Sequence, residues 1–225
     1  KDRLNALKNP HAHLHLPDIS IEKVKESPML WDPLHFLESC PSSDGAAAMV
    51  LTNAKNAKRA SKPPAWVIAH AKRTETIQFP GRDTVKPAAG VECAKAPYKK
   101  AGTRDPRRQI DVAELYVPFS WYEPMWLEGH LICDEGQGWK MTDAGETELE
   151  GDFPVNPSGG VLSSNPIGAS GMLRFAEAAL QVRGEAGEHQ VDGAQVGMGH
   201  AYGGAAQYFA MWIVGSSLDA VDQKK

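Results

Sequence analysis

The chain has 225 residues, 42% of them hydrophobic, with 24 Lys and Arg against 28 Asp and Glu and a formal net charge of −4. This fits one large domain or two small ones with a true hydrophobic core, and it excludes disorder, collagen and coiled coil. The basic runs do not exceed the pairs Lys99-Lys100 and Arg107-Arg108, and the longest apolar stretches, such as Phe209 to Val214, are too short for a bilayer, so neither a nucleic-acid partner nor a membrane span is expected.

The first forty residues combine a polar opening, the stretch HAHLHL and a proline-interrupted segment that leaves little room for long elements. The small and apolar run ending at Leu51 reads as a buried strand. The Ala/Lys-rich stretch after it reads as a short helix stopped by Pro63 and Pro64. AWVIAHAKRTETI is strand-like, and the polar segment from Phe79 to Lys86, with Pro80 and Gly81, is the expected boundary between two structural halves, 1–80 and 81–225. A helix is expected around Ala88 to Ala101, and then the strand-like QIDVAELYVPF leads into the helical spacing of WYEPMWLEGHLI. Cys133 to Val155, glycine-rich and acidic, reads as a long surface excursion. NPSGGVLSSNPIGASG is a loop before a helix with Leu173, Ala176, Ala179 and Leu180 on one face and Gly184 as its stop. Two strand-like runs around a glycine-rich turn, VDGAQVGMGHAYGGAAQYFAMWIVGS, close the chain. This alternation defines an α/β fold class with a mixed sheet.

Several groups of residues have chemical potential. His11, His13 and His15 would share one face of an extended strand, but they have no carboxylate or Cys at useful spacing, so they read as a surface loop and no metal is expected. Cys40, Cys93 and Cys133 are odd in number and far apart, which points to a reducing compartment and a cytoplasmic location. Cys40 abuts the apolar run and reads as structural. Asn165 and the backbone N–H groups from Gly168 through Ser170 to Gly171 precede a helix. They form either a site for developing negative charge or a plain helix start. GMGHAYGG sets His200, Tyr202 and Gly203 on a glycine loop where backbone can approach a ligand, or on a simple hairpin turn. Tyr116, at a strand end, is either chemical or packing.

In order along the chain, WDPLHFLESCPSSDGAAAMVL, IDVAELYVPF, NPSGGVLSSNPIGASG, LQVRGEAG and GHAYGG resemble the thiolase superfamily. The resemblance is to sterol-carrier-protein-type thiolases and, within them, to the lipid-transfer-protein-type aldolases of bacterial steroid side-chain degradation. It implies the layered α/β/α/β/α thiolase fold, with this chain covering the end of the first half and the whole second half. The loop with a thiolase's nucleophilic Cys would then lie upstream of Lys1, so the chain is expected to be a fragment. Sterol-carrier-type thiolases show His-Asp-Cys-Phe where this chain has Tyr116, Val117, Pro118 and Phe119, and Gly-His-Pro where it has Ser164, Asn165 and Pro166. The last glycine loop of other thiolases includes a catalytic Cys, where this chain has His200, Ala201, Tyr202 and Gly203.

The aldolase branch uses tyrosines in place of that machinery. The resemblance therefore implies retro-aldol cleavage of a β-hydroxyacyl-CoA steroid side chain to a ring ketone and propionyl-CoA, with coenzyme A as part of the substrate and no separate cofactor. Tyr202 is expected to work on the hydroxyl proton, with Tyr116 as acid or orienting partner and Asn165 as enolate donor. His200 is expected to help Tyr202 only if the glycine loop breaks regular strand geometry. Trp121, Tyr122, Met125, Trp126, Trp139 and Met141 would wall a steroid pocket or simply fill core, and Arg104, Arg107 and Arg108 would meet CoA phosphates or line a solvated loop. The resemblance further implies a homodimer joined by a small OB-fold acyl-CoA-associated partner, a heterotetramer. The alternatives are a thiolase-type acyltransferase and a non-catalytic subunit supporting a partner.

Overall fold

Alternation along the last apolar run fixes the layers of the molecule. Phe209, Met211 and Ile213 fall on one side of a strand while Trp212 and Val214 fall on the other, so a helix is needed on each face. The computed structural model describes residues 1–77 and 81–224. Phe79 and Pro80, on which the boundary expected at 80/81 rests, lie outside the described residues.

A small hairpin of β1 (Met29–Trp31) and β2 (Leu34–His35) stands apart from the main sheet. That sheet contains β3 (Trp66–Thr74), β4 (Val112–Glu114), β5 (Val196–Gly203) and β6 (Tyr208–Gly215) in the order β3-β6-β5-β4. β6 runs antiparallel to both β3 and β5, and β4 runs parallel to β5, so the sheet is mixed as expected. Helix α1 (Ala88–Ala101) covers β3 and β6, with Cys93, Ala94 and Tyr98 in the main core, and α2 (Tyr122–Gly129) adds Trp126 and Leu127 to it. Helix α3 (Ser170–Val182) covers the opposite face, where Ala178 and Val182 meet Val214 and Trp212. A Cβ on Gly199 would collide with Trp212 Nε1, and one on Gly171 would sit 2.8 Å from the Ala201 methyl. Gly199 therefore makes room for the Trp212 side chain of the neighbouring strand, and Gly171 for the close approach of α3 to β5.

Four expectations change. The run ending at Leu51 has no regular secondary structure; Val50 is 96% and Leu51 75% exposed, because no described segment offers it a strand partner. Cys133 to Val155 is not a surface excursion: it forms a short helix at Gly138–Asp143 and buries Met141, Thr147, Phe153 and Val155, whose apolar groups complete the core. On α3 the fully covered positions are Ser170, Arg174, Ala178, Gln181 and Val182, whereas Leu173, Ala176, Ala179 and Leu180 are half-buried. Finally, His200 and Tyr202 lie within β5 and not on a loop; the turn is at 204–207, where Gly204, Ala205 and Ala206 have positive φ.

His130, at the end of α2, and His200 form a buried pair with ring centroids 4.3 Å apart, and neither ring nitrogen of either residue has a partner among the described residues. Burial drives His130 down to about 3, and burial together with the facing imidazole holds His200 well below its usual value. The unfolded chain takes up these protons below about pH 6.5 while the folded chain does not, so stability is full above that pH and falls as the pH drops toward about 3. The expected slope is about 1.4 kcal/mol per pH unit for each histidine. His200→Phe should remove about half of this acid-side loss, as read by urea unfolding at neutral and mildly acidic pH.

Candidate active site

The site forms where the chain leaves β4. Glu114, the last residue of that strand, is fully buried, accepts hydrogen bonds from the backbone N–H (3.1 Å) and Oγ (2.8 Å) of Ser158, and pairs with Nη1 of Arg174 from α3. Burial pushes the Glu114 carboxyl up, against the pull of Arg174. The next residue is fixed as well, since Leu115 N–H donates to Asn156 Oδ1 at 2.8 Å. Asn156 adopts a positive φ of 52° inside NPSGG. This motif thus braces the backbone that leads to Tyr116, whose carbonyl also accepts Trp126 Nε1–H at 2.7 Å.

Around Tyr116 the side chains converge on Asn165. Tyr116 Oη donates to Asn165 Oδ1 at 3.2 Å, Ser170 Oγ donates to the same oxygen at 2.7 Å, and Asn165 Nδ2 donates to Cys40 Sγ at 3.1 Å. The backbone N–H of Asn165 donates to Ser43 Oγ at 3.0 Å. With Oδ1 committed to two donors and one N–H on the thiol, the amide keeps one further N–H for an incoming oxygen. Tyr202 lies across the gap, its ring in edge contact with Tyr116 at 5.6 Å between centroids, and its hydroxyl is 3.1 Å from that of Tyr122. Burial raises both Tyr116 and Tyr122 above the ordinary tyrosine value. Phe119, Trp121 and Tyr122 continue as a stack toward solvent, with Phe119 and Trp121 4.9 Å apart and nearly parallel, and Trp121 46% exposed.

Tyr116, Asn165, Ser170 and Tyr202 are therefore brought together. Gly168 is exposed, Gly203 has open space where a side chain would start, and Met125 packs half-buried against the core. At the helix start, Ala169 and Ser170 N–H groups are taken by Pro166 O (2.6 and 3.0 Å), so two of the expected backbone donors are committed. His200 shares the Tyr202 face of β5, as residues two apart on a strand must. The supposed need for a broken geometry was mistaken. Both rings pack on Trp126, yet the ring nitrogens of His200 have no hydrogen-bonding partner among the described residues.

Cys40, expected to be structural, lies against the site. Its N–H donates to Pro118 O at 2.9 Å and Ser39 bridges Phe119, so the 39–40 segment runs beside 118–119 and delivers the thiol to Asn165. Tyr122 lies one helical turn before Trp126, and that spacing was the available signal for its place on the site side of α2. Trp139 is exposed and Met141 is core, so neither walls the site. Arg107 pairs with Glu146 and Arg108 with Asp105 at the opposite end of β4, beside a cavity of about 1050 Å³ also lined by Asp111, Glu150, Asp152 and Glu188. His13 Nδ1 meets Ser43 Oγ and His15 Nε2 meets Asn9 O, so these rings do not share a strand face.

Residues 71–216 match the family model described as thiolase C-terminal domain-like, and the chain belongs to that family. It is 37% identical over 211 residues to the acetyl-CoA acetyltransferase of Methanothermobacter thermautotrophicus, covering 93% of this chain and 54% of that one. It is 33% identical over 223 residues to sterol carrier protein 2 of Bos taurus, covering 96% of this chain and 40% of the other. Among solved structures it is similar to an "Ltp2-ChsH2(DUF35) aldolase", with a TM-score of 0.85 and 26% identity, over 95% of this chain and 56% of that one. The fold is thus a thiolase-like mixed α/β fold, and the chain spans about half the length of the curated relatives it matches.

Because Glu114 and Arg174 satisfy each other in a dry interior, removing one leaves an unpaired buried charge. Arg174→Met should cost about 3–5 kcal/mol in denaturant unfolding. Loss of less than about 1 kcal/mol would mean that the pair does not hold β4 to α3.

Proposed function

We propose that this chain contributes the catalytic half of a carbon–carbon lyase, a retro-aldolase that cleaves a β-hydroxyacyl-CoA with a steroid acyl group to a ring ketone and propionyl-CoA. The observation that carries this reading is the hydrogen bond of Tyr116 to Asn165 with the Tyr202 ring against that of Tyr116, where the resemblance sets Tyr116 and Asn165 at the histidines of sterol-carrier-type thiolases and Tyr202 in the glycine loop that holds a catalytic Cys in other thiolases. Its likeness to the solved structure titled as an aldolase supports the same chemistry.

The reaction has three demands. Tyr202 takes the proton of the substrate's β-hydroxyl; that C–O becomes a carbonyl, the Cα–Cβ bond breaks, and its electron pair enters the thioester enolate. The free N–H of Asn165 stabilises the enolate oxygen, and Tyr116 delivers a proton to Cα, so one proton is removed and one returned. A tyrosine with a pKa of about 10 is ionised in about one part in a thousand at neutral pH, equivalent to about 4 kcal/mol. Tyr116, whose proton is committed to Asn165 and whose ionisation is suppressed by burial, suits the acid better than the base. The stack of Trp121 with Phe119 supplies an apolar face for the ring system, and Gly168, Ser170, Gly203 and Met125 complete the substrate surface. His200 supports the Tyr202 side of the site through Trp126 without touching the reacting atoms.

In the assembled protein the 1–80 and 81–225 segments belong to the first and second thiolase-like halves, two copies form a homodimer, and a small OB-fold acyl-CoA-associated protein completes a heterotetramer in the cytoplasm. No described helix is long and apolar enough to cross a membrane. A second reading, thiolase-type acyl transfer, is favoured by the Cys40 thiol on Asn165 and by the 37% identity to an acetyltransferase.

Mass-spectrometric product analysis of the whole protein and its OB-fold partner, incubated with a β-hydroxy steroid CoA thioester, should show propionyl-CoA and the ring ketone. Unchanged substrate from an intact, substrate-binding complex defeats the lyase reading. Tyr202→Phe and Tyr116→Phe should each lower turnover by about 10²–10⁴-fold, and Asn165→Ala by about 10²–10³-fold. Turnover that iodoacetamide abolishes in the wild type and that Cys40→Ala also abolishes would move the assignment to the acyltransferase.

A further inference from the structure

Among the described residues, the Tyr202 hydroxyl has a hydrogen-bond partner in the hydroxyl of Tyr122, at 3.1 Å. The groups that face it come from four elements. Tyr116 follows β4, Tyr122 and Trp126 belong to α2, Phe209 lies on β6, and His200 shares β5. None of these is a charged side chain, and the nearest imidazoles, His200 and His130, are held neutral by burial. The Tyr122 ring is clamped by Trp121 on one side and Trp126 on the other, with centroids at 5.4 and 5.3 Å, so its hydroxyl has little freedom to turn away.

We propose that Tyr122 is the positioning residue of Tyr202, donating its hydroxyl proton to the Tyr202 oxygen and orienting that oxygen toward the substrate. The proposal rests on the reading of Tyr202 as the base. In a bonded pair of phenols, the one that keeps its proton is the donor. The clamp of Trp121 and Trp126 holds the Tyr122 hydroxyl 3.1 Å from that of Tyr202, and burial favours the protonated form of Tyr122, so we assign Tyr122 as donor and the Tyr202 oxygen as acceptor. When Tyr202 releases its proton to open the cycle, negative charge forms on its oxygen and the same bond becomes charge-assisted and therefore stronger. A hydrogen bond that strengthens as charge develops lowers the barrier, whereas one equally strong throughout does not. Among the described residues, the other rings around Tyr202 offer packing but no donor to its oxygen.

The test uses the whole complex with Tyr122→Phe, which keeps the ring stack and deletes only the hydroxyl. Turnover with the β-hydroxy steroid CoA thioester should fall about 10-fold with KM unchanged, and the pH at half-maximal rate should rise by about one unit, the equivalent of one charge-assisted hydrogen bond. A second readout needs no substrate. In ultraviolet difference titration, the tyrosine identified by its loss in Tyr202→Phe should ionise about one pH unit later in Tyr122→Phe. An unchanged titration overturns the proposal even if turnover falls. An inactive wild type defeats the lyase reading instead, and the titration still decides the role of Tyr122. Replacing Tyr122 by a fluorinated tyrosine, a near-isosteric and stronger donor, should move the Tyr202 ionisation to lower pH; no movement, or a rise, overturns the proposal even where Tyr122→Phe does not fold.

Discussion

The buried contact between Glu114 and Arg174 is the constraint on which the rest of the site depends. Glu114 ends β4, Arg174 sits in the second turn of α3, and Ser158 joins them from NPSGG, so three separate segments meet in one dry network. Two residues after Glu114 comes Tyr116, and four residues before Arg174 comes Ser170, which holds Asn165. A loosened pair would let β4 and α3 shift independently, and the Tyr116–Asn165 hydrogen bond spans that junction. Buried ion pairs are weak contributors to net stability, because desolvation offsets most of the attraction. Here the pair fixes geometry instead, since either charge left alone would have to leave the interior.

The polar groups at the site are divided by what they touch. Asn165 is saturated on its oxygen and open on its nitrogen, which orients the amide so that it can donate to an incoming oxygen. Tyr202 belongs to a second, aromatic environment, in which Trp126 is shared with His200 and Phe209. This division separates the two tyrosines although their rings touch: Tyr116 is bonded into the amide cluster, Tyr202 to another phenol.

Much of this fold was legible because its patterns are local. The period-2 alternation of β6 and the glycine-terminated stretch 88–101 each specify an element without reference to distant residues. The run ending at Leu51 shows the limit: its apolar content is that of a strand, but a strand requires a partner, and pairing is not encoded in the run itself. The same limit hid the thiol of Cys40, whose position depends on the pairing of Ser39 with Phe119, eighty residues away. At the site, Tyr116, Asn165 and Tyr202 came from ordered motifs and do converge. Tyr122 reads from the sequence only as pocket wall or core, because its hydroxyl partner lies on β5, eighty residues away.

The chemistry favoured by this arrangement follows from matching donors and acceptors. Claisen-type acyl transfer passes through a covalent thioester, so it needs a thiolate strong enough to attack a carbonyl and a second group to move the α-proton. Retro-aldol cleavage forms no covalent enzyme intermediate; it needs one proton removed from oxygen and one placed on carbon, with charge on the enolate in between. Two phenols serve such a cycle because the proton balance is zero: the pair ends with the protons it began with once they are exchanged with solvent. Their high intrinsic pKa makes each a strong base once ionised, and the cost of ionisation is reduced where a fixed hydrogen bond meets the forming phenolate. Tyr122 supplies that bond to Tyr202, while Tyr116 donates a hydrogen bond to Asn165 Oδ1 and keeps its proton until it passes to Cα. On the proposed reaction, the assignment of acid and base thus follows from which hydroxyl is bonded to a donor and which to an acceptor, and not from any difference in the residues themselves.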